Sequence, residues 1–384
     1  MSAIYVHIPF CKSRCIYCGF YSTTLLSLQE QYVDAVIQEL SLRKGYLPSQ
    51  PIRTLYIGGG TPSLLSHACL KRLCHALTQF ANTFNAQQDA ADVSAIEEFT
   101  IECNPDDITE DFAHLLVSLG INRVSMGAQT FNNDRLSFLH RRHRAEDVKR
   151  AVRILRRCGI SNISLDLMFG FPNQTLTEWE HDINTVIGLD VQHISAYSLM
   201  YEEGTPLYSR LQKGDISEIS EEDSLAMYDM LIYRLTTCGY EHYEISNFSL
   251  PGYRSKHNSS YWNRTPYLGL GASAHSFDLL SRQWNIADVK AYIRHVTDSS
   301  PDFVEDREEL TEQEKYNDIV TTALRTAEGI DLLTLDSRFR NYLLSASRPH
   351  ISKGSLSLED KHLRLTRKGL FISDSIMTDL VNVD

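Results

Sequence analysis

Short apolar runs alternate with amphipathic stretches through the N-terminal half of the chain. In the amphipathic stretches the apolar residues recur at the i, i+3, i+4 and i+7 positions of a helix, as in Val148, Ala151, Val152 and Leu155. The short runs are rich in β-branched residues and predict six strands, at residues 4–8, 54–57, 99–103, 123–128, 163–169 and 193–199. Strands that alternate with helices form parallel sheets through right-handed crossovers. We therefore expect an α/β fold with an incomplete (β/α)6 barrel that is similar to a TIM barrel.

The pattern changes after residue 199. Leu225 and Ile232 share one face of a further helix, and the segment that follows is loop-like and rich in polar and aromatic residues through residue 273. Thr311 and Glu314 form a capping box that opens a new helix, and a short strand and a last helix close the chain. We predict a core barrel at residues 1–205, a barrel extension with a binding loop at residues 206–300, and a small C-terminal α+β domain similar to a winged helix at residues 301–384.

The composition is that of an ordinary globular protein. Hydrophobic residues make up 42% of the 384 residues and charged residues 22%, so extensive disorder is excluded. The 49 acidic residues outnumber the 37 basic ones and give a net charge of −12, which argues against nucleic acid as the main partner. The chain has neither a long apolar run typical of a membrane span nor a recognisable signal peptide, so we expect a cytoplasmic protein.

Three of the eight cysteines lie close together, directly after the first predicted strand. Cys11, Cys15 and Cys18 have the spacing Cys-x3-Cys-x2-Cys, while the other five are scattered through apolar or helical segments. Three thiolates can hold a [4Fe-4S] cluster and leave one iron open to an exogenous ligand. The alternatives are a zinc site or three incidental cysteines, but structural zinc takes four ligands and His7 is the only further candidate nearby. The spacing therefore favours a cluster.

A polar face recurs along several of the predicted strands. In the fourth strand Arg123, Ser125 and Gln129 alternate with apolar residues, so one face of the strand is polar and the other packs on helices. The glycines at 58–60 follow the second strand, where missing side chains let the backbone approach a ligand. Solvated surface strands are the alternative, but both faces of a parallel α/β sheet are normally covered. We therefore expect a ligand cavity inside the barrel, with further polar pairs at Glu102 and Asn104 and at Ser164 and Asp166.

Six motifs follow one another along the chain and together are very specific. They are YVHIPFC at 5–11, GGGTP at 58–62, ECNP at 102–105, RVSMGAQ at 123–129, DLMFGFPNQT at 166–175 and HNSSYW at 257–262. The cysteine motif after a first barrel strand resembles the radical S-adenosylmethionine (SAM) superfamily. The full set resembles the oxygen-independent coproporphyrinogen III oxidase family, and within it the HemW-type heme chaperone branch.

The resemblance implies a site for a [4Fe-4S] cluster and SAM. Cys11, Cys15 and Cys18 correspond to the cluster ligands, and Tyr17 lies behind the cluster. Asp166 is suited to accept hydrogen bonds from the ribose hydroxyls of SAM. In the family the reduced cluster donates an electron to SAM, which is cleaved to methionine and a 5′-deoxyadenosyl radical. The positions that correspond to SAM-binding residues are Tyr5, Gly59, Gly60, Thr61, Glu102, Gln129, Arg141 and Asp166.

Two features distinguish the branches of the family. The oxidases carry a fourth cysteine two residues after the third, where this chain has Phe20, and they have an N-terminal extension before the cluster loop, where only ten residues precede Cys11 here. The HNSSYW motif is the pattern of the heme chaperone branch, where it is linked with heme binding. The resemblance therefore makes His257 a candidate axial ligand, and Tyr261 and Trp262 offer flat surfaces for a porphyrin.

We therefore expect a radical SAM heme chaperone that binds heme as cargo and delivers it to hemoproteins of the respiratory chain. The alternative is an enzyme that oxidatively decarboxylates coproporphyrinogen III, and a third hypothesis is another radical SAM reaction on a tetrapyrrole, such as anaerobic heme opening. The resemblance also implies client hemoproteins, a reductant such as flavodoxin or ferredoxin, and peripheral membrane contact through the clients. Neither the client nor a catalytic residue follows from the sequence.

Overall fold

Six parallel strands lie side by side, in the order of the chain, in a computed structural model that describes residues 1–87 and 96–383. Each strand overlaps one of the six predicted from the sequence, so the predicted β/α repetition is confirmed. The strands are β1 (Ser2–Ile8), β2 (Ile52–Gly59), β3 (Glu98–Cys103), β4 (Arg123–Gln129), β5 (Asn162–Phe169) and β6 (His193–Ser198).

Amphipathic helices make the crossovers between these strands and cover the outside of the sheet. Val33, Val36 and Leu40 are buried in the first helix, and Val148 and Leu155 in the fifth, so the predicted helical spacing marks the core face. None of the helices in the described parts of the chain combines the length and apolar composition that a membrane span needs. The crossover helices are α1 (Gln29–Leu42), α2 (His67–Ala86), α3 (Glu110–Ser118), α4 (Asn133–Phe138), α5 (Ala145–Arg157) and α6 (Leu176–Gly188).

The sheet continues on both sides of the six strands. One added strand pairs parallel with β1 and three more follow it antiparallel, while two antiparallel strands extend the sheet beyond β6. The prediction of a loop-like segment through residue 273 is therefore wrong, because its short strands are held by distant partners that no local pattern reveals. The elements are α7 (Pro206–Gln212), α8 (Glu221–Thr237), β7 (Glu241–Glu244), β8 (Asn247–Ser249), α9 (Lys256–Trp262), β9 (Tyr267–Leu270), β10 (His275–Phe277), β11 (Ser281–Asn285), α10 (Val289–Thr297) and β12 (Val304–Glu309).

The C-terminal region is a small α+β unit with its own apolar core, as predicted. Thr311 and Glu314 form the expected capping box at its first helix. Because β12 still pairs with β11, the large sheet runs past the predicted boundary after residue 300. The unit contains α11 (Glu312–Ala323), β13 (Ile330–Asp331), α12 (Ser337–Ser352), β14 (Leu356–Glu359), β15 (His362–Leu365), α13 (Arg367–Leu370) and α14 (Ser373–Leu380), and its three strands form an antiparallel sheet.

Candidate functional site

A cavity of about 790 Å³ opens at the carboxyl ends of the parallel strands and extends into the barrel. Ligands of parallel α/β folds bind at this edge of the sheet. The structure brings every predicted site residue to the wall of this one cavity, although their ligands and roles stay predictions. These residues are Tyr5, Cys11, Cys15, Tyr17, Cys18, Gly59, Gly60, Thr61, Glu102, Gln129, Arg141, Asp166 and His257.

The cysteine loop follows β1 directly and is tied to the barrel by a few contacts. The backbone N–H of Cys11 donates to the carbonyl of Thr23 at 2.9 Å. The Cys11 Sγ lies 3.5 Å from Thr61 Oγ1, and Arg141 Nη1 donates to the Sγ of Cys15 at 3.6 Å. These contacts connect the loop to the segment after β2 and to the segment after α4, so the three thiols share the cavity with the strand ends.

The donor set of this loop fits a cluster better than a single ion. Within the described residues, no three His, Cys, Asp or Glu side chains converge closely enough to hold one metal ion. In a [4Fe-4S] cluster each thiolate binds a different iron, so the three sulfurs need not converge on a point. Burial raises the pKa of the Cys11 and Cys18 thiols, and bound iron would reverse that effect because it stabilises the thiolates.

The glycines at the end of β2 and directly after it leave room that no other residue would leave. Gly59 has φ of +110°, and a Cβ there would lie 2.6 Å from the ring of His7. A Cβ on Gly60 would lie 2.9 Å from the carbonyl oxygen of Ile8. At Gly59 both the conformation and the space therefore require glycine, and at Gly60 the space does. The backbone at this position borders the cavity directly, as expected for a segment that approaches a ligand.

Two carboxyl groups face the cavity from neighbouring parts of the barrel. Glu102 accepts hydrogen bonds from the Tyr56 hydroxyl at 2.7 Å and from the Gly59 N–H at 2.9 Å. Asp166 is hydrogen-bonded to Ser195 and Ser125. Burial raises the pKa of Glu102 to about 7 and that of Asp166 to about 6, although these hydrogen bonds oppose the shift. The two groups therefore suit a cationic ligand with hydroxyls, and SAM has both features.

These two pKa values predict that SAM affinity rises with pH. SAM carries a sulfonium cation, which favours ionised carboxylates, while at pH 6 Glu102 is mostly protonated and Asp166 is about half protonated in the free protein. Binding should then release protons, and the affinity should increase about tenfold from pH 6 to pH 8 before it levels off. Calorimetry of the cluster-loaded protein in two buffers of different ionisation enthalpy measures both quantities. Equal affinity at pH 6 and pH 8 without proton release would contradict this assignment.

Gln129 and Arg141 close the cavity on the side of β4. The pairing of β4 with β5 shifts register after Gly127, and Gln129 then adopts φ of +66°, which is unusual for a residue other than glycine. Arg141 Nη2 donates to the carbonyl of Gly127 and to Asn104 Oδ1, both at 2.8 Å. A Cβ on Gly127 would lie 2.5 Å from Gln129 Nε2. The strained backbone thus brings an amide side chain into the cavity.

Two residues that the sequence did not single out support the predicted ones. Tyr56 donates to Glu102, and Ser195 is hydrogen-bonded to Asp166. The signal that could have found Tyr56 is its parity with Gly58 on β2, since residues two apart on a strand share a face.

His257 lies in a different setting from the one expected. The prediction of an open loop is wrong: His257 is buried in the first turn of α9, with the Thr54 hydroxyl 2.9 Å from Nδ1 and the Tyr261 hydroxyl 3.0 Å from Nε2. Its ring stacks on Tyr56 with a centroid separation of 4.9 Å. Burial lowers the pKa of His257 to about 3, so the ring is neutral. Its role as a heme ligand stays a prediction, and ligation of iron would require one of these hydrogen bonds to break.

The HNSSYW motif is divided between two cavities. Tyr261 lines the main cavity beside His257, whereas Trp262 lines a separate cavity of about 280 Å³ next to the C-terminal domain. The guanidinium of Arg325 lies over the Trp262 ring, 4.9 Å from its centroid. The expectation that Tyr261 and Trp262 together offer a surface to one porphyrin is therefore wrong, because consecutive helical residues point to different sides.

Two family profiles match the chain. Residues 5–186 match the Radical SAM superfamily, and residues 310–372 match the HemN C-terminal domain. Among curated proteins, the chain is 34% identical over 381 residues to the heme chaperone HemW of Bacillus subtilis (strain 168), and this match covers 98% of each protein. It is 33% identical over 340 residues to the heme chaperone HemW of Lactococcus lactis, and this match covers 88% of this chain and 85% of that protein.

The fold is similar to a solved structure of coproporphyrinogen III oxidase (HemN) from Escherichia coli, a radical SAM enzyme. The TM-score is 0.83, and the match covers 99% of this chain and 90% of that chain at 24% identity. At this identity the similarity concerns the fold alone. It confirms the expected barrel with a small C-terminal α+β domain.

Proposed function

The chain belongs to the HemW family of radical SAM proteins, and from this premise we propose that it is a heme chaperone that binds heme and delivers it to hemoproteins. The observation that carries the proposal is the similarity over nearly the whole chain to proteins named heme chaperone HemW. Phe20 supports it, because this position holds no fourth cysteine beside the three of the cluster loop.

The cavity residues supply the cofactor sites of the proposal. When bound, the [4Fe-4S] cluster supplies one-electron chemistry toward SAM at its open iron. Cys11, Cys15 and Cys18 hold it, while Glu102 and Asp166 orient SAM and offset its positive charge. An apolar cluster packs behind the loop and keeps water from that side of the site; its buried members are Ile16, Leu139, Met168, Phe171, Leu199 and Leu207.

The partners belong to the proposal as well. We include hemoproteins of the respiratory chain as clients, a reductant such as flavodoxin or ferredoxin, and peripheral membrane contact made through the clients. A cytoplasmic location follows from the same view. No catalytic residue is assigned, since a chaperone needs to bind and release its cargo rather than convert it.

The test of the proposal is product analysis with coproporphyrinogen III. Cluster-loaded protein is incubated without oxygen with coproporphyrinogen III, SAM and a reductant, and the tetrapyrroles are separated by chromatography. We expect the substrate to be recovered unchanged. Formation of protoporphyrinogen IX over many turnovers would instead identify an oxidase, which is the alternative function, and would overturn the proposal.

A further inference from the structure

Three large side chains with apolar surface are exposed around the mouth of the main cavity. Phe20 is 70% exposed, Met200 62% and Tyr197 41%, and all three line the cavity that the cysteine loop borders. We refer to Phe20, Tyr197 and Met200 as the rim. Exposed apolar groups that meet at the mouth of a cavity indicate a binding surface, whereas scattered ones need no explanation.

The rim is built from two segments that are fixed to one another. Phe20 follows the cysteine loop, and Met200 follows β6. The Glu202 carboxylate occupies the space beside Gly19 that a Cβ would need, so the two segments contact each other directly there. The Leu207 N–H donates to the carbonyl of Ile16 at 2.9 Å, which ties the loop to the start of α7. The rim is therefore a preformed surface rather than a set of loose loop ends.

Cationic side chains border the same mouth although the whole chain carries a net charge of −12. Lys12, Arg14 and Arg142 line the cavity. Arg142 pairs with Asp106 and Asp107, and Lys12 lies 3.8 Å from Asp107. Arg14 forms no salt bridge with any described residue. A flat apolar ligand with carboxylates on one edge, which is the chemistry of heme, matches an apolar rim with adjacent cations.

Because SAM is predicted to bind inside the barrel, a tetrapyrrole bound at the same time has to lie at the rim. Glu102 and Asp166, which are predicted to bind SAM, are surrounded by protein inside the barrel, so a ligand that binds together with SAM has to lie nearer the mouth. His257 lies inside the barrel with both ring nitrogens hydrogen-bonded. Met200 instead presents an exposed thioether, a group that serves as an axial ligand of heme iron in cytochromes c.

We propose that heme lies across the rim, with its face against Phe20 and the Met200 thioether as an axial ligand of its iron. This inference rests on the proposed heme-chaperone function and places the cargo beside the cluster loop. The propionates point toward Arg14 and Lys12. Heme bound in this way also covers the mouth of the cavity and shields the cofactors behind it from solvent.

The test is optical heme titration of cluster-loaded variants. Phe20→Ala should bind heme about tenfold more weakly, because it loses the contact with the macrocycle face. Met200→Leu keeps the apolar surface but lacks sulfur, so its ferric heme should show a shifted Soret band. Leu280→Ala is the matched control, since Leu280 is a 65% exposed side chain outside the cavity. Equal iron content and SAM affinity in each variant show that the fold is intact.

The possible outcomes separate this inference from the proposed function. A Soret spectrum of Met200→Leu identical to wild type overturns the ligand assignment, and wild-type affinity in both rim variants overturns the rim as the site. If the Soret band changes in His257→Ala but not in Met200→Leu, the histidine is the axial ligand, and this outcome also overturns the assignment of Met200. Failure of the wild-type protein to bind heme at all is a failure of the proposed function, not of the rim.

Discussion

Replacing any one of Cys11, Cys15 and Cys18 with Ala is expected to leave the reconstituted protein without an intact [4Fe-4S] cluster. Each thiolate holds a different iron, so the loss of one leaves an iron without its protein ligand. Cys103 lies at the same cavity, but it is fixed at the end of β3 and is not part of the cysteine loop, so we do not expect it to replace a missing thiolate. Iron and sulfide analysis together with the visible absorption band measures the effect after anaerobic reconstitution.

The control for this experiment is Cys238→Ala. Cys238 is exposed at the end of α8 and does not line the cavity, so its variant should retain full iron and sulfide. If all three loop variants also retain full iron, full sulfide and the same absorption band, the cluster is not held by this loop.

Replacement of Asp166 with Ala is expected to weaken SAM binding about tenfold to a hundredfold. The change removes a charged acceptor of hydrogen bonds from ribose hydroxyls, which costs about 1.5–3 kcal/mol of binding free energy. The charge of Asp166 also raises the pKa of Glu102. In the variant, the rise of SAM affinity with pH should therefore occur at lower pH than in the wild type. Calorimetric titration at several pH values measures both effects.

Asp166→Asn is the graded comparison for this prediction. The amide keeps the size of the side chain and one acceptor oxygen but loses the charge, so its affinity should lie between those of wild type and Asp166→Ala. Unchanged affinity in Asp166→Ala, with the cluster fully loaded, would remove Asp166 from the SAM site.

The barrel could be predicted because its signals are local. Each parallel strand is a short segment with apolar residues on at least one face, and each crossover helix shows its buried face in the spacing of residues such as Val148 and Leu155. The cavity followed from strand parity, since Arg123, Ser125 and Gln129 all reach its wall. The register shift before Gln129 was not visible, because it depends on how β4 pairs with β5.

The setting of His257 could not be predicted for the same reason. Glu98 on β3 accepts the backbone N–H groups of Lys256 and His257 and so holds the first turn of α9 against the barrel. Thr54 on β2 then engages the imidazole. These partners are far from the motif in sequence, and a polar, glycine-containing stretch is typical of a loop when viewed alone.

The extra strands were missed because they are short and most of them are polar. β12 is exposed along most of its length and carries charged residues, which protects an edge strand against association. Its identity as a strand comes from pairing with β11 rather than from an alternating pattern. Such elements are determined by long-range contacts, and a sequence pattern indicates them poorly.

Heme titration of the cluster-loaded wild-type protein tests the central claim most directly. The absorbance of the Soret region is followed as heme is added without oxygen, and bound heme is counted against protein after gel filtration. A heme chaperone should bind heme saturably, with one heme per chain and a fixed spectrum. Absorbance that rises without saturation, with heme lost during gel filtration, would contradict the claim that this protein carries heme.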